Sequence, residues 1–491
     1  MLSTDQAIHG LQPAVLWQRF FELSQIPRAS KKEEKVTAHL EALFQSLNLK
    51  YSRDKVGNLV AKVPASRGYS KAPIVVLQGH SDMVCEKNRD TVHDFDKDPI
   101  QLIRDGEWIA ANGTTLGADN GIGVAAALAI LSDPTAVHGP LEILVTVDEE
   151  TGLTGANQLS DKRLRGKYLL NLDTEEDNVF CIGCAGGIDT VGTFAIEQTD
   201  LPSGEWKAFT LRVGGLKGGH SGVDIHLGRA NAIKLMARVL HALQSLKPMI
   251  TDISGGSKRN AIPREAEVTV VLPAAAVTKA REVIAHCQQQ FLNEFSITEE
   301  DIQLEWADAK LPASIFSTRL MRKLIHTLLA MPCGMLQMSA AIPDLVESST
   351  NLATIVVENG VVRIGTSQRS SIESAKKYFA ASVAATFQLA GAKVIQTDGY
   401  PGWQPNIQSD LLRICKTVAV AQTGVAPEIK AIHAGLECGI LGNKYPDMEM
   451  ISFGPTITGA HSPDERVHIP AVRKFYDLLK AVLKAIAEEG K

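Results

Sequence analysis

The chain has 491 residues, 45% of them hydrophobic and 21% charged, which is ordinary for a soluble globular protein and long enough that two domains are expected. Its 50 basic and 55 acidic residues leave a net charge of −5, and aromatic residues make up only 5%. That balance gives no electrostatic or base-stacking reason to expect nucleic acid or an acidic membrane surface as partner.

Residues 1–13, MLSTDQAIHGLQP, lack the basic start and apolar run of a secretory leader. The seven cysteines, an odd number scattered along the chain, fit reduced thiols in a cytoplasm better than a disulfide framework. Residues 16–49 carry helical periodicity, with Ser30-Lys31-Lys32-Glu33 spaced as a capping box for the second helix. Short strand-like runs follow: NLVAKV (58–63), PIVVLQ (73–78), LEILVTV (141–147) and YLLNL (168–172). Among them lies a helix opened by Gly121 and running through VAAALAILSD, whose most apolar part, 124–131, is too short to span a bilayer. This alternation predicts an α/β fold with a mostly parallel, helix-covered sheet.

The pattern changes near residue 187. FTLRVGG (209–215), AEVTVVLP (266–273) and ATIVVENGVVRIGTS (353–367) alternate with amphipathic stretches such as NAIKLMARVLHAL and REVIAHCQQQFL. Asn359-Gly360, between two β-rich runs, is a hairpin signal. Residues 187–399 therefore read as an α+β domain inserted into a discontinuous domain made of 1–186 and 400–491, where strand and helix alternation resumes.

The chemistry gathers at strand ends. His80 and Asp82 follow PIVVLQ, Glu149-Glu150 follow LEILVTV, and Asp173 follows YLLNL; Asp119 and His461 lie in loops of related character. A lone histidine after a strand is an ordinary loop residue, and Glu-Glu pairs are commonplace. Five liganding side chains released to the carboxyl edge of one sheet, where open α/β sheets bind ligands, are not. Imidazole and carboxylate suit Zn²⁺ and similar ions, and this set exceeds what one tetrahedral ion needs. It suits two metals sharing a bridging carboxylate and activating a water. The adjacent Glu149 and Glu150 suit a division between general base and ligand, with Asp82 orienting the His80 ring. Gly117-Ala-Asp-Asn-Gly-Ile-Gly123 has the look of a phosphate-cradling loop, but Asp119 would set a negative charge in any such nest. Cys181 and Cys184 have metal spacing without a second pair, and read as core or loop residues.

In this order GHSDMV, GTTLGADNGIG, DEETG, NLDTEE and GAHSPDE resemble the dinuclear zinc peptidases of the M20 family, and CAGGID, KGGHSG, RNAIPREA, GYPGWQP and HAGLECG are similar to its aminoacyl-histidine dipeptidase branch. The resemblance covers essentially the whole chain. It implies a zinc-peptidase catalytic domain carrying an inserted lid domain, with two Zn²⁺ per chain for which Co²⁺ or Mn²⁺ can substitute. His80 and Asp173 would hold one zinc, Glu150 and His461 the other, and Asp119 would bridge them through a residue joined to Asn120 by a cis peptide bond. Glu149 would be the general base and Asp82 the support of His80. From the lid, His220 would bind the oxyanion, and Asn260 and Arg369 would hold substrate. The implied activity is hydrolysis of dipeptides, above all those ending in histidine such as β-alanyl-histidine, by a cytoplasmic enzyme for which a homodimer is left open. Two other readings stand beside it: an aminoacylase or deacylase of N-acyl amino acids, and a non-catalytic metal-dependent peptide-binding protein. His433 and Glu437 are further candidates for shaping the substrate pocket.

Overall fold

The computed structural model describes residues 4–490; Met1 to Ser3, the beginning of the segment read above for a leader, and Lys491 lie outside them. The chain divides into two compact units: Met1–Gly183 with Pro405–Ala431 and Leu436–Lys491, and Cys184–Gln404 with Ile432–Gly435.

The first unit is built on an eight-stranded sheet. Its strand order is Lys50–Arg53, Leu59–Val63, Leu141–Thr146, Val75–His80, Tyr168–Asn171, Glu449–Ser452, Val179–Cys184 and Glu428–Ile432. The four central strands, from Leu141–Thr146 to Glu449–Ser452, run parallel. Antiparallel partners extend the sheet on both sides of them. Every residue of Val75–His80, Leu141–Thr146 and Tyr168–Asn171 is buried, as expected of parallel strands covered on both faces. Parallel strands all finish at the same edge. The register sets His80 level with Thr146 and Gln78 level with Asn171, so three loops leave the sheet side by side.

The apolar helix starts as its sequence suggests. Ala118–Ile130 is continuous by hydrogen bonding, yet Asp119 (φ −79°, ψ 112°) and Asn120 (φ −104°, ψ 30°) are not helical, and regular geometry begins at Gly121. The helix lies so close to the sheet that a Cβ on Gly79 would fall 2.2 Å from Asn120 Oδ1. A second, four-stranded sheet joins Ile457–Thr458, Arg466–His468, Trp108–Ala111 and Leu102–Asp105, and the loop between its first two strands carries His461.

The capping-box expectation fails. Helix Glu34–Ser46 has Glu33 at its N-cap with no side-chain cap. Instead the Ser30 hydroxyl donates to Asp82 Oδ2 at 2.8 Å, and Glu33 Oε1 accepts from the Asp148 amide at 2.7 Å. Both side chains serve buried groups, where an unmet hydrogen bond costs more than at an exposed helix end.

The second unit is an antiparallel nine-stranded sheet. Eight strands form its path: Gln303–Ala309, Trp206–Gly214, Ala266–Pro273, Met249–Gly255, Val346–Glu358, Val361–Ser370, Gly186–Ala195 and Lys393–Gln396; Gly334–Met338 pairs onto Val346–Glu358. Four helices, Ala232–Ala242, Val277–Glu294, Thr318–Ala330 and Glu373–Leu389, share a core with it that includes Leu235, Phe291, Leu328 and Phe387. The hairpin at Asn359-Gly360 forms as expected, both residues having positive φ (49° and 76°) between the paired strands Val346–Glu358 and Val361–Ser370. The α/β catalytic fold with an inserted β-rich unit is thus the architecture observed.

Candidate metal centre

At the carboxyl edge of the parallel strands, seven side chains singled out from the sequence converge. His80 Nε2 lies 3.1 Å from Asp119 Oδ1 and 3.5 Å from Asp173 Oδ1. His461 Nε2 lies 3.1 Å from Asp119 Oδ2 and 3.1 Å from Glu150 Oε2. Asp119 thus turns one oxygen to each histidine. Three groups, His80-Asp119-Asp173, Asp119-Glu150-His461 and His80-Glu149-Glu150, bring one potential ligand atom per residue within 4.8 Å of one another. The peptide bond from Asp119 to Asn120 is cis.

Asp82 stands behind this cluster, fully buried. Its Oδ1 is 3.3 Å from His80 Nδ1 and accepts from the Glu149 amide at 3.1 Å, while Oδ2 accepts from the Glu150 amide at 3.2 Å. One carboxylate therefore holds both the ring of His80 and the backbone that presents the glutamate pair. Burial pushes Asp82 up, but His80, the Glu149 amide and the Ser30 hydroxyl together bring it down to about 2.

The electrostatics are those of a cation site. Burial, with Asp119 and Glu150 nearby, holds Asp173 up at about 6 against the opposing pull of His80. Burial likewise pushes Glu149 well above the carboxylate range, reinforced by Asp173, Glu437 and Glu150. Hydrogen bonding to Asp119 and Glu150 raises His461 to about 11. Asp173 Oδ1 and Glu150 Oε1 are buried without a hydrogen-bond partner. Cations among these oxygens would satisfy both orphans and relieve the repulsion, and the imidazole and carboxylate donors are those that borderline divalent ions take. The residues fit two metals sharing Asp119.

Three buried charged residues at this edge escaped the sequence reading or entered it only as pocket candidates. Glu437 opens helix Glu437–Lys444, and its Oε2 accepts from Gln78 Nε2 at 2.5 Å and Thr146 Oγ1 at 2.7 Å. Burial holds it at about 7. A polar row continues beneath the ligands: Asn171 Nδ2 donates to Gln78 Oε1, and Ser452 Oγ donates to Asn171 Oδ1. Glu437 is therefore a buried anchor of the sheet edge. Arg28 and Glu465, the other two, bind the backbone of the ligand loops. The motif GAHSPDE marks Glu465, but nothing local marks Arg28.

The inserted unit gathers its own polar cluster. His220 Nδ1 accepts from the amides of Gly222 (3.2 Å) and Val223 (3.0 Å), so a neutral ring carries its proton on Nε2. Burial and the Arg369 charge lower its pKa. Arg369, buried near the end of strand Val361–Ser370 between Ser349 and Gly187, donates to the Tyr400 hydroxyl at 2.8 Å. Ser349 Oγ lies 2.7 Å from His433 Nε2, and burial beside Arg369 lowers His433 to about 3. Asn260 joins through its carbonyl, which accepts from the Ser221 amide at 2.9 Å, while its side chain is exposed. All seven cysteines carry thiols rather than disulfides.

Residues 76–485 match the model of peptidase family M20/M25/M40. The chain belongs to that family. It is 41% identical over 478 residues to the cytosol non-specific dipeptidase of Escherichia coli (strain K12), covering 97% of this chain and 98% of that one. The crystal structure of an aminoacylhistidine dipeptidase from Vibrio alginolyticus superposes with a TM-score of 0.91 at 42% identity, covering 97% of this chain and 98% of that one. An aminopeptidase PepT from Bacillus cereus shares the fold at a TM-score of 0.60 and 16% identity, over 97% of this chain and 99% of its own. With the ligand cluster above, membership makes the chain a dinuclear metal-dependent peptidase.

Proposed function

We propose that this peptidase hydrolyses dipeptides, preferentially those with C-terminal histidine such as β-alanyl-histidine, and that its working metals are two Zn²⁺ per chain. The observation that carries the reading is Asp119, whose two oxygens each stand 3.1 Å from a different histidine. His80 and Asp173 would hold one zinc, Glu150 and His461 the other, and Asp119 both. Bound there, zinc supplies Lewis acidity and lowers the pKa of water toward about 7. The substrate class is supported by the two close relatives, one named a non-specific dipeptidase and the other an aminoacylhistidine dipeptidase. The E. coli relative's name also supports a cytosolic site of action, and no helix among the described residues is long and apolar enough to cross a membrane.

Glu149 is the general base. Grouped with His80 and Glu150 at the same edge, its carboxylate would take the proton of the attacking water and return it to the departing amine. Asp82 keeps Glu149 and His80 in register through the contacts described above. From the inserted unit, His220, whose Nδ1 accepts backbone amides, would offer its Nε2–H to the oxyanion. Arg369 pairs its planar fork with the substrate's terminal carboxylate, and Asn260 helps to hold the substrate.

The test is β-alanyl-histidine hydrolysis by metal-stripped protein titrated with Zn²⁺. Activity rising until two metals are bound per chain supports the reading. Cleavage of an N-acyl amino acid in place of the dipeptide would move the protein to the aminoacylases. Zinc binding without hydrolysis of either would leave the peptide-binding alternative, against which the intact Glu149 argues.

A further inference from the structure

The loop GADNGIG does cradle an anion, and the chain supplies it. Glu465, 2% exposed, accepts four consecutive amides: Leu116 (2.7 Å) and Gly117 (2.9 Å) on Oε2, Ala118 (2.7 Å) and Asp119 (3.2 Å) on Oε1. Opposite in charge and 3% exposed, Arg28 grips carbonyls: Nη1 donates to Ser81 (3.0 Å) and Asp82 (2.9 Å), and Nη2 to Gly117 (2.5 Å). Gly117 and Gly121 leave space for it, since a Cβ at either would fall 2.5 or 2.7 Å from Arg28 Nη2.

We infer that Glu465 and Arg28 are positioning residues that hold the Asp119 loop in its metal-binding geometry before any metal arrives, Glu465 tying it to the His461 loop and Arg28 tying it to the turn after His80. Glu465 lies four residues after His461, and its own amide donates to Ser462 in that loop. Arg28 ends one residue before an isolated bridge of Ala29 to Met83, so its backbone is fixed to the same turn its side chain grips. Simple core packing does not account for the pair. Burying charge is costly, and well-packed apolar side chains are often at least as stable. Here seven backbone groups of the ligand loops use the two charges, and no direct ion pair joins them among the described residues.

This inference rests on the dinuclear reading, and Co²⁺ titration separates their failures. Wild-type protein stripped of metal is titrated with Co²⁺, followed by visible absorption and by bound stoichiometry. Fewer than two ions per wild-type chain would sink the dinuclear reading itself. With two bound, Glu465→Gln sets an amide NH₂ against backbone donors and should weaken the ion held by Asp119, Glu150 and His461 at least about tenfold. Its spectrum should change, and kcat should fall more than KM rises. Unchanged affinities, spectrum and kcat in a folded Glu465→Gln protein would overturn the inference. Arg28→Lys, which keeps the charge and loses the fork, carries the same expectations should the first variant not fold. Hydrogen exchange needs no variant. The amides of residues 116–119 should exchange slowly in metal-free and Co²⁺-loaded wild-type protein alike, and protection that appears only with metal would overturn pre-organisation.

Discussion

The two units assemble polar clusters of opposite character by opposite means. In the first, parallel strands end at one edge, and residues at or just beyond those ends, His80, Glu149, Glu150 and Asp173, meet because their strands do. In the second, the sheet is antiparallel, and Arg369 lies within a strand, where cross-strand register sets it beside Ser349, which in turn meets His433. The first cluster is rich in carboxylates, of which burial and the neighbouring acids push Glu149 and Asp173 up, and it calls for cations. The second is a guanidinium with two imidazoles that burial and Arg369 keep neutral, an environment for an anionic group. A shared sheet edge can be read from local sequence. A cluster made by cross-strand register cannot.

The largest effect should come from the group that belongs to two ligand sets. Asp119→Ala should lower metal stoichiometry below two and reduce hydrolysis to background; a variant that still binds two ions would break the distinction between a bridged cluster and an accidental one. Glu149→Gln should next lower kcat by about 10² to 10⁴-fold while leaving metal stoichiometry unchanged. Near-native turnover would remove Glu149 from the base role. Asp82→Ala should weaken metal affinity by about 10 to 100-fold, measured by competition with a chelator, because it frees both His80 and the Glu149-Glu150 backbone.

Changes in the inserted unit should leave metal binding untouched, which sharpens the comparison. Arg369→Lys should reduce kcat/KM by roughly tenfold, from the loss of a charge-assisted hydrogen bond worth about 1.5–3 kcal/mol at most, with two metals still bound. The smallest effect concerns His433, lowered from 6.5 to about 3. Above pH 6.5 both folded and unfolded chains hold it neutral, so its contribution to stability is complete. Between 6.5 and 3 the unfolded chain takes up a proton that the folded one refuses, and stability falls as pH falls. His433→Gln should flatten the decline of Tm across that window. An unchanged slope would mean that other groups carry it.

Legibility followed how local each cause was. The central strands, the Asn359-Gly360 hairpin and the start of regular helix at Gly121 were readable, because hydrophobic runs and turn chemistry act over a few residues. The metal-facing residues were readable from strand ends combined with family motifs. Ser30 and Glu33 misled, since their spacing suits a helix cap but their partners, Asp82 and Asp148, are remote. The glycine-rich loop was read as unsuited to an anion because of Asp119, yet it cradles one, Glu465, which lies more than three hundred residues away. Residues 432–435 belong to the second unit although they lie deep in the C-terminal part of the chain. The Ala185 amide, which donates to the carbonyls of Ile432 and Ala434, and Ser349, which meets His433, link them to it.

By itself the sequence determined the fold class, the family and the set of residues able to hold metal, because periodicity, turn residues and motif spacing are properties of neighbours along the chain. Only the tertiary structure decided that Asp82 holds the glutamate pair and that Arg28 and Glu465 grip the ligand loops. Each of those depends on burial, which makes an unmet charge or amide costly enough to select one partner among many distant ones.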